Sequence, residues 1–291
     1  MESDVKFNDY CYQIDTKLWG LPQNAAAYVV QSAKTAMIDA GTANNVRDIQ
    51  KSFTNLKIDP SKVDYMIITH EHYDHGAGAA PLLEKMPKAK VFASEPTSRV
   101  LRNPKETHEK DMRYAGPAGA LIGAYPQIKD VAIVKEHDKF DLGNGVILEV
   151  IDLKGHTPGG IGLLESKTRT LFAGDAVCIY NEQADFYIPP SAADLFDYNT
   201  YQNTLKKMLA IDFDYLCLGH FGTIRQPKAK QVIKKAGEVA QGWKEIISKT
   251  YAATKDEDKV VEALRDKYGK TIQKPVVDLM IKGYLISLKL V

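Results

Sequence analysis

With 291 residues, 44% of them apolar, the chain is long enough to bury a sizeable core in one large domain or in a domain with a helical appendage. Lys plus Arg (38) nearly cancels Asp plus Glu (37), so no broad charge invites nucleic acid or an anionic membrane, and neither is expected as a partner. Cys11, Cys178 and Cys217 are odd in number, widely spaced and outside any CxxC pattern, which argues against a disulfide framework or a thiolate zinc site and predicts reduced, buried thiols. The opening MESDVKFNDYCYQ has early acids and no apolar stretch of signal-peptide length. No uncharged apolar run reaches the length of a bilayer span, so the expected location is cytoplasmic.

In chain order, YCYQIDTKLW, AAAYVVQ and TAMIDAG read as strands separated by turn residues. Val46, Ile49 and Phe53 then recur at helical spacing, predicting a helix from about Asn45 to Leu56 that Pro60 ends. VDYMIITH reads as a strand buried on both faces and ending at His70. A helix from about Gly76 to Met86, a strand over Lys90 to Ser94 and a mixed helical region to about Tyr125 follow. The second half repeats the theme with VAIVKE, GVILEVIDL, IGLLES, TLFAGD and DYLCLGH as strands, and a helix from about Asn199 to Ala210. From Lys228 the periodicity is helical only, which places a boundary near Gln226 and Pro227. The two β-rich halves before it suit a layered α/β sandwich. Along the last helix, Val276, Met280, Tyr284 and Leu288 are expected to share the apolar face.

The chemistry concentrates in ITHEHYDHGAG. Three of the chain's seven histidines and two carboxylates, Glu71 and Asp74, fall within six residues, His70 to His75, just where an apolar strand stops. A turn at a sheet edge can aim several such side chains at one point. Imidazole nitrogen and carboxylate oxygen are donors that zinc accepts, and iron or manganese would suit them too. Three later polar residues share this placement after a strand and beside glycines: His156 in GHTPGG, Asp175 in AGD and His220 in LGHFG. His108 and His137 lie outside the pattern and read as surface residues.

The ordered set His70-x-His72-x-Asp74-His75, then His156, Asp175 and His220, resembles the metallo-β-lactamase-fold superfamily of dinuclear metallohydrolases over about the first 225 residues. The resemblance implies an α/β fold, the four-layer αββα sandwich with the site at one edge. Residues 1–226 would then form the catalytic domain, and 227–291 a C-terminal helical extension packing on or near the active site. It also implies two divalent metal ions, zinc foremost, one held by His70, His72 and His156 and the other by Asp74, His75 and His220, with Asp175 bridging. Two such cations lower the pKa of a shared water and polarise the bond under attack. Asp74 is the candidate catalytic residue, orienting the nucleophile and receiving a proton. Thr69, Glu71 and Asp39 are candidate partners for the imidazole N–H groups.

Fewer residues bear on the branch. Flavodiiron oxidoreductases of this fold place a glutamate where this chain has His72 and carry a flavin domain, whereas the remaining residues here are helical with no glycine-rich phosphate loop after a strand. True β-lactam hydrolysis goes with an altered ligand pattern and a secretory signal, and the RNA-processing branch with a basic surface that a net charge of +1 does not support. GHTPGG is similar to the glyoxalase II thioesterases, which also add C-terminal helices. The layout of ITHEHYDHGAG, VFASEPT, LGHFG and a helical tail is similar to the quinolone-signal thioesterases. Quorum-sensing lactonases resemble it too, but where they carry a tyrosine shortly after the bridging aspartate this chain has Cys178, with Tyr180 the nearest tyrosine. The expectation is a hydrolase of a small-molecule ester or thioester. Phosphodiester or lactone hydrolysis are the alternatives, and a weakly catalytic ligand-binding or signalling protein is the reading of another class. RYAGPAGALIGAYP and ADFYIPPS, with Phe186 and Tyr187, read equally as pocket lining, core or homodimer contact.

Overall fold

The computed structural model of the chain describes residues 3–115, 121–183, 186–191, 193–269 and 274–291. Part of the expected pocket stretch RYAGPAGALIGAYP (116–120) and the first two residues of ADFYIPPS lie outside the described residues. The chain divides into two compact units. One holds Met1–Asp152, Gly159–Gly174 and Asp212–Gln226; the other holds Leu153–Pro158, Asp175–Ile211 and Pro227–Val291.

The first unit contains two sheets. One has seven strands in chain order: β1 (Val5–Lys6), β2 (Cys11–Asp15), β3 (Ala26–Gln31), β4 (Thr35–Ile38), β5 (Val63–Ile68), β6 (Lys90–Ala93) and β7 (Val131–Ile133). The ladder is antiparallel as far as β4 and parallel from β4 to β7. Parallel neighbours require crossovers, and these are α1 (Val46–Asn55), then α2 (Tyr73–Gly76) with α3 (Ala79–Leu83), then α4 (Glu95–Arg102) with α5 (Lys105–Ala115). The helix expected from Gly76 to Met86 is the shorter α3, because α2 already ends at Gly76 and the Gly78 amide between them bonds the Gly41 carbonyl at 2.9 Å.

Strand β5 shows why the parallel strands read as unbroken apolar runs. Met66 and Ile68 pack with Ile49 and Phe53 of α1 and Leu82 of α3, while Ile67 between them packs with Leu148, Leu163 and Phe172 of the second sheet. A period of two sends alternate side chains to opposite faces, and here both faces are covered. The second sheet runs in the order β15 (Thr223–Arg225), β14 (Tyr215–Cys217), β11 (Thr170–Phe172), β10 (Ile161–Glu165), β9 (Ile147–Asp152), β8 (Lys139–Asp141), with β11 and β14 parallel. Strands β8 and β15 were not legible in the sequence: KFD and TIR each place one apolar residue between two polar ones, with no apolar run to mark a strand.

The second unit contains a small hairpin, β12 (Ile179–Asn181) with β13 (Phe186–Ile188), and four helices, α6 (Tyr198–Ala210), α7 (Lys228–Thr254), α8 (Glu257–Tyr268) and α9 (Lys274–Ser287), among the described residues. Its core is aromatic. Tyr284 of α9 has its ring 5.2 Å from Phe196 and 6.3 Å from Trp243 of α7, and its hydroxyl donates to the Ala240 carbonyl at 3.0 Å. The buried face of α9 is Val277, Met280, Ile281, Tyr284 and Leu285, so the expected face is rotated: Val276 and Leu288 are only half-buried. No described helix is long and apolar enough to cross a membrane. The three cysteines are buried and free, as their spacing predicts.

Candidate metal centre

Strand β5 stops at Ile68, two residues short of the expected His70, and the chain turns through Thr69–His72 into the single turn of α2. His72 occupies the N-cap in an extended conformation, with the amides of His75 and Gly76 bonding its carbonyl at 3.2 and 3.0 Å. That turn brings Asp74 and His75 back toward His70. The imidazole centroids of His70 lie 4.9 Å from those of His72 and 4.1 Å from those of His75.

The second sheet supplies His220. Parallel strands β11 and β14 end at the same edge, where the Gly219 amide bonds the Gly174 carbonyl at 2.8 Å, and Gly219 in turn accepts from the Ala26 amide at 2.8 Å. Gly174 has a left-handed backbone, and a Cβ there would come within 2.7 Å of Thr69 Oγ1. Only glycine combines that conformation with so close an approach. His220 thereby sits with its ring 6.0 Å from that of His75.

One donor atom from each of Asp74, His75 and His220 lies within 4.8 Å of the others. More closely, Asp74 Oδ2 stands 3.8 Å from His75 Nε2 and 3.7 Å from His220 Nε2. These separations are long for hydrogen bonds. They are close to the about 3.4 Å that separates two ligands bonded at roughly 2.0–2.2 Å to one tetrahedral ion.

The other ring nitrogens are held by the protein. His75 Nδ1 donates to Asp39 Oδ2 at 2.9 Å, and His220 Nδ1 to the Asn24 carbonyl at 3.1 Å. His70 Nδ1 meets Thr69 Oγ1 at 3.0 Å, and that hydroxyl donates to Asp39 Oδ2 at 2.9 Å. Engaging Nδ1 fixes the tautomer and presents Nε2 as the ligand atom. Asp39, at the end of β4, also accepts the Thr69 amide at 2.8 Å and has a left-handed backbone, φ 59°, which Asp tolerates better than most residues. Nitrogen and oxygen donors with no thiolate fit zinc, iron or manganese.

Of the seven sequence-predicted ligands, the first unit brings together His70, His72, Asp74, His75 and His220. The second unit brings together His156 and Asp175, with Nε2 3.6 Å from Oδ2, and the Pro190 carbonyl accepts from His156 Nδ1. Gly155, before His156, has φ 125°, and a Cβ on it would fall 2.4 Å from the Tyr201 backbone, so α6 presses directly on this turn.

Asp39 and Thr69 thus hold imidazoles as expected. Glu71 accepts from Thr97 Oγ1 at 3.0 Å and from the Gly159 amide at 3.3 Å. His108, expected at the surface, is half-buried on α5. The carbonyls of Asn24 and Pro190 were missed because a main-chain acceptor carries no residue-type signal. Thr97 had one, since Ser94-Glu95-Pro96-Thr97 has the form of a helix start with a Ser N-cap and an early Pro.

Residues 19–220 match the Metallo-beta-lactamase superfamily. A metallo-beta-lactamase fold-containing protein of Sulfurisphaera tokodaii is 28% identical over 225 residues, covering 74% of this chain and 80% of that protein. A hydroxyacylglutathione hydrolase of Blochmanniella pennsylvanica is 30% identical over 141 residues, which span 48% of this chain and 41% of that relative's length. Among solved structures, an archaeal metallo-beta-lactamase superfamily protein from Sulfolobus tokodaii is alike in fold, with a TM-score of 0.70 at 22% identity over 95% of this chain and 98% of that one.

Proposed function

Because the chain belongs to the metallo-β-lactamase superfamily, we propose that it is a dinuclear metal-dependent hydrolase acting on a small-molecule ester or thioester. The observation that carries this reading is the Asp74, His75 and His220 constellation, with a carboxylate oxygen poised between two Nε2 atoms at ion-binding spacing. In the proposal, His70, His72 and His156 would hold one metal and Asp74, His75 and His220 the other, with Asp175 serving both and zinc foremost. Bound there, such a pair would acidify water and polarise the carbonyl under attack.

The chain's own residues do the rest. Asp39 and Thr69 keep the His70 and His75 rings from rotating, and the Asn24 carbonyl does the same for His220. Asp74, slightly exposed at 9%, would orient the nucleophile and take its proton. Preference for a thioester or ester is supported by the hydroxyacylglutathione hydrolase among the relatives. The net charge of +1 favours a small molecule over nucleic acid or a membrane surface, and three free thiols suit a reducing cytoplasm.

The test is turnover of an aryl thioester, an aryl ester, a lactone and a bis-aryl phosphate by metal-loaded protein, with Asp175→Ala as control. Metal-dependent hydrolysis of the thioester or ester, abolished by the substitution, supports the reading. Preference for the phosphodiester or lactone moves the branch. Ligand-induced stabilisation without turnover of any of the four would replace the enzyme by a binding protein.

A further inference from the structure

Glu71 stands between two of the proposed ligands in sequence, and each of its carboxylate oxygens is held by another chain segment. The residue is 3% exposed; Oε2 accepts from Thr97 Oγ1 at 3.0 Å and Oε1 from the Gly159 amide at 3.3 Å. Ser94 Oγ closes the far side by donating to the Gly159 carbonyl at 2.6 Å. The main-chain carbonyl of Glu71 is gripped as well, by Tyr125 Oη at 3.1 Å. Burial holds that phenol well above its ordinary pKa of 10.0, so it remains a donor. Gly159 leaves no slack: a Cβ on it would come within 2.3 Å of both Glu71 Oε2 and Thr97 Oγ1.

A buried carboxylate satisfied by two separate chain segments is a stiff cross-link, because breaking either arm leaves a desolvated polar group. Resting on the function proposed above, we propose that Glu71 is a positioning residue that builds the metal site without touching the metal. It fixes the peptide joining His70 to His72, and it pins Gly159, which follows His156 by three residues in the chain. One clasp therefore governs three segments: the His70 to His72 turn, the start of α4 at Ser94 and Thr97, and the backbone leaving His156. The clasp works by hydrogen-bond geometry rather than by negative charge. A neutral glutamine serves as well: its oxygen accepts from the Gly159 amide while its NH2 donates to Thr97 Oγ1, whose proton turns to the Gly159 carbonyl, already 3.4 Å away.

The experiment titrates metal-free full-length protein with zinc against a competing chromophoric chelator, records the cobalt(II) spectrum, and follows thermal unfolding of each metal-free variant. Glu71→Ala is expected to weaken zinc binding roughly 10- to 100-fold. Glu71→Gln is expected to stay within about threefold of wild type with an unchanged cobalt spectrum. Thr97→Val, which removes one arm at a distance from the ligands, should fall between them and carries the test if Glu71→Ala does not fold. Wild-type affinity in Glu71→Ala or Thr97→Val overturns the clasp, and a loss in Glu71→Gln as large as in Glu71→Ala replaces geometry by charge and overturns it too. If wild-type protein binds no zinc, the proposed function fails with it. If wild type loads two ions and Glu71→Ala loads them equally tightly, the clasp alone fails.

Discussion

Asp39 Oδ2 accepts a hydrogen bond from His75 Nδ1 at 2.9 Å, and both side chains are almost wholly buried. The same oxygen accepts from Thr69 Oγ1, whose hydroxyl meets His70 Nδ1, so one carboxylate orients two imidazoles. Replacing Asp39 with Ala removes the acceptor for a ring N–H, a hydroxyl and a main-chain amide together. Asp39→Ala is expected to lower unfolding free energy by about 1–3 kcal/mol and metal affinity roughly 10- to 100-fold, read by denaturant unfolding and metal titration. Asp39→Asn, which keeps one acceptor oxygen, should lose less of both.

Gly78 has ordinary helical backbone angles, φ −74°, yet a Cβ there would lie 2.1 Å from the Ala40 carbonyl oxygen. The obstacle is main chain and cannot rotate aside. Gly78→Ala is therefore expected to destabilise the fold by about 1–3 kcal/mol through overpacking, and to shift the segment that follows Asp39. A melting temperature within a degree of wild type would contradict this.

In the second unit, Tyr201 Oη donates to the carbonyl of Val177, two residues after Asp175. Tyr201→Phe keeps the ring packing and leaves that buried carbonyl without its donor, an expected loss of about 1–3 kcal/mol. Tyr201→Ala should cost about 3–5 kcal/mol because it also empties the space under Phe196. Denaturant midpoints of the two variants give the comparison.

Burial pushes the Cys11 thiol from its ordinary pKa of 9.0 up to about 12, with Glu165 adding to the shift. The native state therefore keeps this proton over a range where the unfolded chain releases it. The contribution to stability is complete below pH 9.0 and is withdrawn as pH rises toward about 12, at about 1.4 kcal/mol per pH unit. Burial raises Cys178, Tyr28 and Tyr201 in the same direction, which steepens the decline. Unfolding free energy measured from pH 8 to 11 should fall, and the native thiols should stay unreactive to a thiol reagent until the protein unfolds.

The metallo-β-lactamase fold was legible because its parallel strands carry unbroken apolar runs and its candidate ligand residues follow strand ends in a fixed order, features that a single chain displays. The partners of those ligands were legible only where a side chain does the work. Asp39 and Thr69 could be named as partners, while Asn24 and Pro190 act through carbonyls that every residue has. Two partners of Glu71 show the same limit: Thr97 and Gly159 lie far from it in sequence and are brought to it by the fold. The face of α9 was rotated by one residue because Val276, Val277, Met280 and Ile281 are all apolar, and periodicity alone does not choose among overlapping stripes.

The most direct test of a dinuclear centre is metal content by plasma mass spectrometry on protein loaded with zinc and freed of excess, comparing wild type with His220→Ala. The predicted result is close to two ions per wild-type chain and about one in the variant, since His220 belongs to one proposed ion and not the other. One ion or none in wild type, or two in both proteins, would contradict the proposed ligand set.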